Sequence, residues 1–493
     1  MILKLTNLQI FTNFIWLFLF ALSTYFLINS SYILPSSILY ALTLFIIIVG
    51  FLHTNYNKNL YLFSPLLLII YNAFFYISFQ GLYCFSNLNN IPLFTLPTKN
   101  ESILAEICII YTVFVLSILL PYLLSLFSKK RFVIKLKIFS KNFDYKTLTI
   151  YLILSQIILF ILLIGILITT GYNPYSALMN GLMFRYAYRH GLANYLYTFF
   201  YSIISLNNII VLKYIFINEL KTKTLNLLST IYILFYLFWF LISGSRGFLL
   251  SIVIGAIYIY ASKKNIKINL YKIAIVLASV LLTLIILAFY QIYRNLALDV
   301  SKGNISGTAQ QADIIQTTLE RADAFAIGVV YFNDVKNKYD NFITYPEIKI
   351  RQQLFYQLAT IIPRKILPEK GISVHAELTK QLYPVVYNND VGFIFGGVVD
   401  LFFAGGIFYL IFDALMFGFL MLLLQKNCSR YLDYDFFFIN YINIYMNYVS
   451  TYFSIGLLNT DMSTLFPLRV LISLSITYIL TKRLRINLIG SNK

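Results

Sequence analysis

Between Arg294 and Gly392 a strongly apolar chain gathers Arg294, Arg321, Arg351, Arg364, Lys365, His375, Glu377 and Asp390. Guanidinium, imidazole and carboxylate groups bind anions, take protons and stabilise developing charge, so any chemistry is expected beneath this segment. Other positions share its character. Arg246 lies in Ile242-Ser243-Gly244-Ser245-Arg246-Gly247-Phe248, where small residues permit a tight turn and close backbone approach to a ligand. Arg185 and Arg189, in Phe184-Arg185-Tyr186-Ala187-Tyr188-Arg189-His190, share a face if that stretch is helical. Asp400 stands inside an apolar run, where a carboxylate is costly and marks a candidate functional position. The alternative for Asp400 is a structural partner for a nearby arginine. Asp461 and Arg469 flank the last turn, with Arg469 about one and a half helical turns inside the following apolar run. At that depth Arg469 needs a partner or an anion.

The elements that must position these residues are membrane spans. The chain has 493 residues, of which 59% are hydrophobic and 12% charged, with mean hydropathy +0.77. Soluble proteins average roughly 25% charged residues. Apolar runs of about 20 residues, enough to cross a hydrocarbon core, recur throughout. The pattern predicts an all-α polytopic membrane protein with about twelve transmembrane helices. They fall near 10–29, 33–53, 60–82, 103–127, 147–170, 196–217, 225–243, 248–262, 273–293, 396–424, 436–458 and 464–481. The expected organisation is nine spans with short loops over 1–293, one large outer loop over 294–395, and three spans with a tail over 396–493. The N-terminal apolar run reads as the first span rather than a removed leader.

The large loop carries helical patterns of its own. Residues 317–334 place Leu319, Ala322, Phe325, Ala326, Val329 and Val330 at helical spacing, with Glu320, Arg321 and Asp323 near the start. A second pattern begins at Pro346 and ends at Pro363, with Ile350, Leu354, Leu358 and Ile361 on one face. Both are expected as amphipathic helices on the membrane surface. Past Asn388-Asn389-Asp390-Val391-Gly392, the chain re-enters the membrane through Gly396, Gly397, Gly405 and Gly406, which permit a broken or closely packed helix. Glu106 and Asp413, also inside apolar runs, read as structural.

The formal charge of +19 is explained by orientation rather than by nucleic acid. No basic stripe with interleaved exposed aromatics appears. With both termini cytoplasmic, 18 of the 26 lysines fall on the inside. Of the 12 arginines, only Arg131, Arg430, Arg483 and Arg485 do so; the other eight lie outside or at outer helix ends. Arginine suits bidentate phosphate recognition, so an outward excess points to an anionic ligand at the outer face. The competing reading is arginines snorkelling to lipid headgroups. Cys84, Cys108 and Cys428 have neither metal nor disulfide spacing. There is no Walker loop, no nucleophile elbow and no metal-ligand cluster in the sequence.

Four stretches together resemble the Wzy-type oligosaccharide repeat-unit polymerases of O-antigen and capsular polysaccharide. They are Ser243-Gly244-Ser245-Arg246-Gly247, Leu319-Glu320-Arg321-Ala322-Asp323, Ile361–Lys370 followed by Asn389-Asp390-Val391-Gly392, and the turn from Asp461 to Arg469. The ordered set covers most of 243–469; the first ~145 residues match only as generic spans.

The resemblance implies a GT-C-like, membrane-embedded glycosyltransferase without metal or nucleotide-sugar cofactor. It would act at the outer face of the bacterial inner membrane. There it would join oligosaccharide units carried on undecaprenyl pyrophosphate, in a bilayer shared with a flippase and a chain-length regulator. On this reading Arg246, Arg321, Arg364 and Arg469 bind pyrophosphate. Arg185, Arg189, Arg351 and Lys365 contact substrate. Asp323, Glu377, Asp390, Asp400 and His375 are the candidate proton acceptors. Outer-loop tyrosines would hold sugar rings. Two alternatives stand beside it. An O-antigen ligase would use a histidine in the outer loop, for which His375 is available. A lipid-linked oligosaccharide flippase would instead want charge along a central cavity.

Overall fold

The computed structural model describes residues 7–56, 65–86, 99–100, 101–127, 143, 145–179, 184, 187–188, 191–216, 223–243, 324–338, 342, 374–382, 396–431, 436, 439–440, 443 and 471–480. Nearly all of them are helical, and an isolated bridge between Ser30 and Ser86 is their only β-type pairing. The helices are α1 (Asn7–Ile28), α2 (Ile33–Tyr56), α3 (Pro65–Ala73), α4 (Gln80–Phe85), α5 (Glu101–Phe127), α6 (Tyr145–Thr170) and α7 (Pro174–Met179). They continue with α8 (Gly191–Phe216), α9 (Lys223–Ser243), α10 (Ala324–Lys338), α11 (Val374–Leu382), α12 (Gly397–Tyr431) and α13 (Leu471–Leu480).

Six of these are long and apolar enough to cross a membrane: Ile33–Asn55, Glu101–Ser125, Tyr145–Thr170, Leu192–Tyr214, Lys223–Ile242 and Gly397–Leu423. Each coincides with a span read from the sequence. Shorter apolar helices match three more, at Thr12–Ile28, Ile69–Phe85 and Leu471–Leu480. The expected spans 248–262, 273–293 and most of 436–458 lie outside the described residues. Exposed apolar side chains run along α6 (Ile150, Ile157, Ile161, Ile164, Ile168) and α12 (Phe408, Phe412, Met416, Phe419). Such stripes are stable where hydrocarbon rather than water is the solvent. The molecule is therefore an all-helical membrane-embedded protein.

The chain forms two compact units. One comprises Met1–Val133, Asp313–Asn427 and Asn447–Thr464; the other comprises Ile134–Ala312, Cys428–Met446 and Leu465–Lys493.

In the first unit α1 packs along α2, and α2 along α5. Close approach depends on small residues, as expected where lipid tails provide no hydrophobic drive between helices. The Trp16 ring lies directly on Gly50, stacks on Tyr71 with centroids 5.1 Å apart, and reaches Thr54 Oγ1 through its Nε1–H at 3.4 Å. Helix ends are tied by polar groups. The Glu101 carboxylate accepts the free N–H of Leu34 at 2.7 Å, capping the start of α2 with a negative charge. Between α3 and α4 the backbone widens into a six-residue π-helical stretch, Phe74–Phe79.

In the second unit α6 packs along α8, and α9 contacts α6, α7 and α8. Asn173 caps α7 reciprocally: its Oδ1 accepts Ser176 N–H at 2.7 Å and its own N–H donates to Ser176 Oγ at 2.9 Å. Pro174 fills the first helical position, where a missing N–H costs nothing. Beyond α7, Phe184 and Tyr188 are fully buried and join Tyr197, Phe200 and Trp239 in one aromatic cluster. Tyr188 is thus part of the packing core of this unit, not a belt tyrosine or an open sugar platform.

One expectation fails clearly. The pattern over 317–334 predicts a helix lying on the membrane surface. The described helix, α10, runs from Ala324 to Lys338 and is buried within the first unit. Phe325, Val329 and Phe332 have 0% exposure, and Ala326, Ile327 and Tyr331 lie on other faces of the same turns and are buried too. The physical reason lies in the composition. Ala324–Phe332 contains no charged residue, while Asp334, Lys336 and Lys338 are confined to the final turns. A helix apolar on every side belongs in a core rather than at an interface. The pattern from Pro346 to Pro363 lies outside the described residues.

Candidate functional site

The candidate site of the first unit is built where α10 meets α5, α4 and α12. Phe325 opens α10 and inserts between Phe85 and Tyr111, at ring-centroid distances of 5.7 and 4.8 Å. Gly81 leaves the space for it: a methyl there would press on Leu39 and Phe325. The Gln80 side chain accepts the Phe325 N–H at 3.4 Å, satisfying one of the free donors of the first turn. One turn on, Gly328 lies under the Tyr111 hydroxyl and close to Val399. A side chain at 328 would displace the hydroxyl. The far end of α10 is held by an ion pair, Lys336 Nζ to Glu106 Oε2 at 2.7 Å, with the ammonium also 5.4 Å from the Phe342 ring. Glu106 thus has a structural partner, as its setting in the sequence implied. Because this pair is partly exposed, its contribution is modest, about 0.2–1 kcal/mol. A double-mutant cycle with Glu106→Gln and Lys336→Met, read by thermal unfolding in detergent, is expected to give a coupling energy in that range.

Asp400 follows Val399 in the first turn of α12 and is completely buried. It lies within electrostatic range of Tyr111. The backbone around it is unusual. Gly396 has φ +92°, and its carbonyl accepts the Asp400 N–H at 3.1 Å, so the turn presenting the acid starts from a conformation other residues rarely adopt. Beyond it α12 breaks at Gly405 and Gly406, the latter at φ 70°, ψ −166°, a region essentially reserved for glycine. The acid therefore sits on a short helical segment, Gly397–Ala404, cut off from the rest of the span. Broken helices of this kind are tolerated at membrane depth only inside protein or against a cavity. Asp413, on the longer segment of α12, is also buried.

Among the other candidate proton acceptors, His375 and Glu377 fall in the first turn of α11. Glu377 is half-buried and suits a helix start, where negative charge is favoured. Asp323, Asp390, Arg185, Arg189, Arg246, Arg321, Arg351, Arg364, Lys365 and Arg469 lie outside the described residues. Hence the structure brings Asp400 together with Tyr111 and α10, and locates His375 and Glu377 on one helix. It does not address the proposed arginine set.

Tyr111, Gly328 and Gln80 were not singled out from the sequence. A signal existed for Gln80, a lone amide beside Gly81 inside an apolar run. Tyr111 is one of 41 tyrosines and carries no local mark, and Gly328 is one of 21 glycines. Among the described residues, no group of three His, Cys, Asp or Glu side chains is placed to hold a metal ion.

The class defined by fold and site is a helical membrane protein with a buried carboxylate on a broken span. Comparison with protein-family models, curated proteins and solved structures finds no match to this chain.

Proposed function

We propose that this protein is a polysaccharide polymerase: a membrane-embedded glycosyltransferase joining undecaprenyl-pyrophosphate-linked repeat units at the outer face of the bacterial inner membrane. The observation that carries the reading is the split between the two cations. Eighteen of the 26 lysines keep to the inner side of the sequence-derived topology, whereas eight of the 12 arginines do not. The buried acid on a broken helix supports it, since such a carboxylate is expensive to keep without a use.

In the proposed reaction, an acceptor sugar hydroxyl attacks the anomeric carbon of the growing chain. The bond from that carbon to the pyrophosphate oxygen breaks, and its electron pair leaves with undecaprenyl pyrophosphate. The hydroxyl proton passes to a carboxylate or imidazole drawn from Asp323, Glu377, Asp390, Asp400 and His375. Arg246, Arg321, Arg364 and Arg469 hold the leaving group. Their contacts strengthen as it gains charge, which lowers the barrier.

The first test is a surface-polysaccharide gel from a deletion strain, with lipid-linked intermediates analysed in parallel. Surface glycan reduced to one repeat unit supports polymerase. Long chains retained on the lipid carrier indicate ligase, and single units trapped on the cytoplasmic side indicate flippase. Complementation with Arg246→Ala or Arg364→Ala is expected to restore no polymer. Wild-type chain lengths from either variant, expressed normally, would remove that arginine from the site.

A further inference from the structure

The second unit holds a polar cluster that the proposed reaction does not use. Three spans contribute: α6 with Tyr151 and Ser155, α8 with Asn207 and Asn208, and α9 with Tyr232. Ser155 Oγ donates to the Leu152 carbonyl at 3.1 Å and accepts Asn207 Nδ2–H at 3.0 Å. The Tyr232 hydroxyl meets the Ile204 carbonyl at 2.9 Å and the Asn208 carboxamide at 2.6 Å. It has one proton, so it donates to one of them and accepts an amide N–H from Asn208 when that group is turned. Every one of these groups is satisfied internally. Two buried atoms are left over, Asn207 Oδ1 and the Tyr151 hydroxyl oxygen. Asn207 is fully buried. Tyr151 lies one turn before Ser155 and within electrostatic range of Tyr232.

We propose that this cluster is a binding site for buried water, held by Asn207 Oδ1 and the Tyr151 hydroxyl. The chemistry selects the guest. Asn207 Oδ1 is an acceptor and needs a donor, which an anion cannot supply. A cation would need several free oxygen ligands, yet Ser155 and Asn208 are already engaged within the cluster. Moreover, Lys213 is buried on the same helix, about 9 Å further along its axis, and opposes a second positive charge in a medium of low dielectric. Water donates and accepts, so it serves both atoms, and buried water commonly occupies such polar gaps. The site ties together spans that already share the Gln156 Nε2–H to Leu228 carbonyl bond at 2.8 Å.

The experiment is pulsed hydroxyl-radical footprinting of the purified full-length protein, because radicals born from bound water label the buried side chains beside it. Tyr232, beside the proposed water, is expected to be labelled several-fold faster than Tyr111, which is equally buried in the other unit, and closer to the rate of exposed Tyr175. Asn207→Leu is expected to return Tyr232 to the Tyr111 rate. If that variant does not fold, Tyr151→Phe serves, with Tyr232 labelling expected to fall. Labelling of Tyr232 in the wild type no faster than Tyr111 overturns the proposal. So does a thermal midpoint that rises in sodium chloride over choline chloride, which would assign the site to a cation.

Discussion

Replacing Asp400 by asparagine is expected to end polymer formation while leaving the protein folded and inserted. Asparagine keeps the shape of the side chain and removes its charge. Its amide oxygen can still accept a hydrogen bond that the carboxylate accepts, so stability should hold. Activity should not. A positioned general base contributes about 10²–10⁴-fold, and an amide cannot take the proton. The measurement pairs a surface-glycan gel with the thermal midpoint of the purified variant. Loss of polymer with an unchanged midpoint assigns the proton to this carboxylate. Wild-type polymer from Asp400→Asn strikes Asp400 from the proposed set and leaves Asp323, Glu377, Asp390 and His375. Loss of both polymer and fold would instead mark the acid as structural.

Gly418→Ala is expected to give the largest loss of stability among the glycine substitutions. A methyl at 418 would run into the carbonyl oxygen of Ile118, which is main chain and cannot turn aside. Helix α12 would have to back away from α5 at that point. Overpacking of this kind costs about 1–3 kcal/mol, and a rigid backbone neighbour places this site toward the upper end. Thermal unfolding in detergent should show a fall of several degrees. Gly165→Ala is the matched control, because its neighbour is the end of a flexible side chain, Leu196 Cδ1 at 3.2 Å. Equal midpoints for the two variants would show that α12 and α5 do not depend on that close approach.

The spans were legible because hydrocarbon leaves little choice: twenty apolar residues in a row must cross or be buried. The breakable glycines of α12 were visible for a similar reason, since Gly405-Gly406 beside a lone acid is a local pattern. What the sequence hid was depth. Residues 317–334 offered an apolar face and a charged start, and the same letters suit a helix at a surface or a helix in a core. The decision fell to partners far along the chain, Phe85, Tyr111 and Gln80, which no periodicity within α10 reveals. The buried place of Tyr188 was hidden likewise, because an interfacial tyrosine and a core tyrosine differ only in what packs against them. Glu106 and Lys336 are 230 positions apart, and only the folded chain makes them a pair.

The π-helical stretch at Phe74–Phe79 has a consequence for the angular bookkeeping of its span. Each π-bulge accommodates one extra residue relative to an α-helix, so the chain beyond it is turned out of step by about 100°, the angle of one residue. Helical wheels drawn straight through Pro65–Phe85 therefore assign Gln80 and Gly81 to the wrong side. Deleting one residue within Phe74–Phe79 would restore ordinary winding and leave both residues facing α10, whereas α-helical winding of the full-length stretch would swing them off it. The span carries its phase error as part of its design: an apparent irregularity in the backbone is what aims an amide at the foot of a helix 245 positions away.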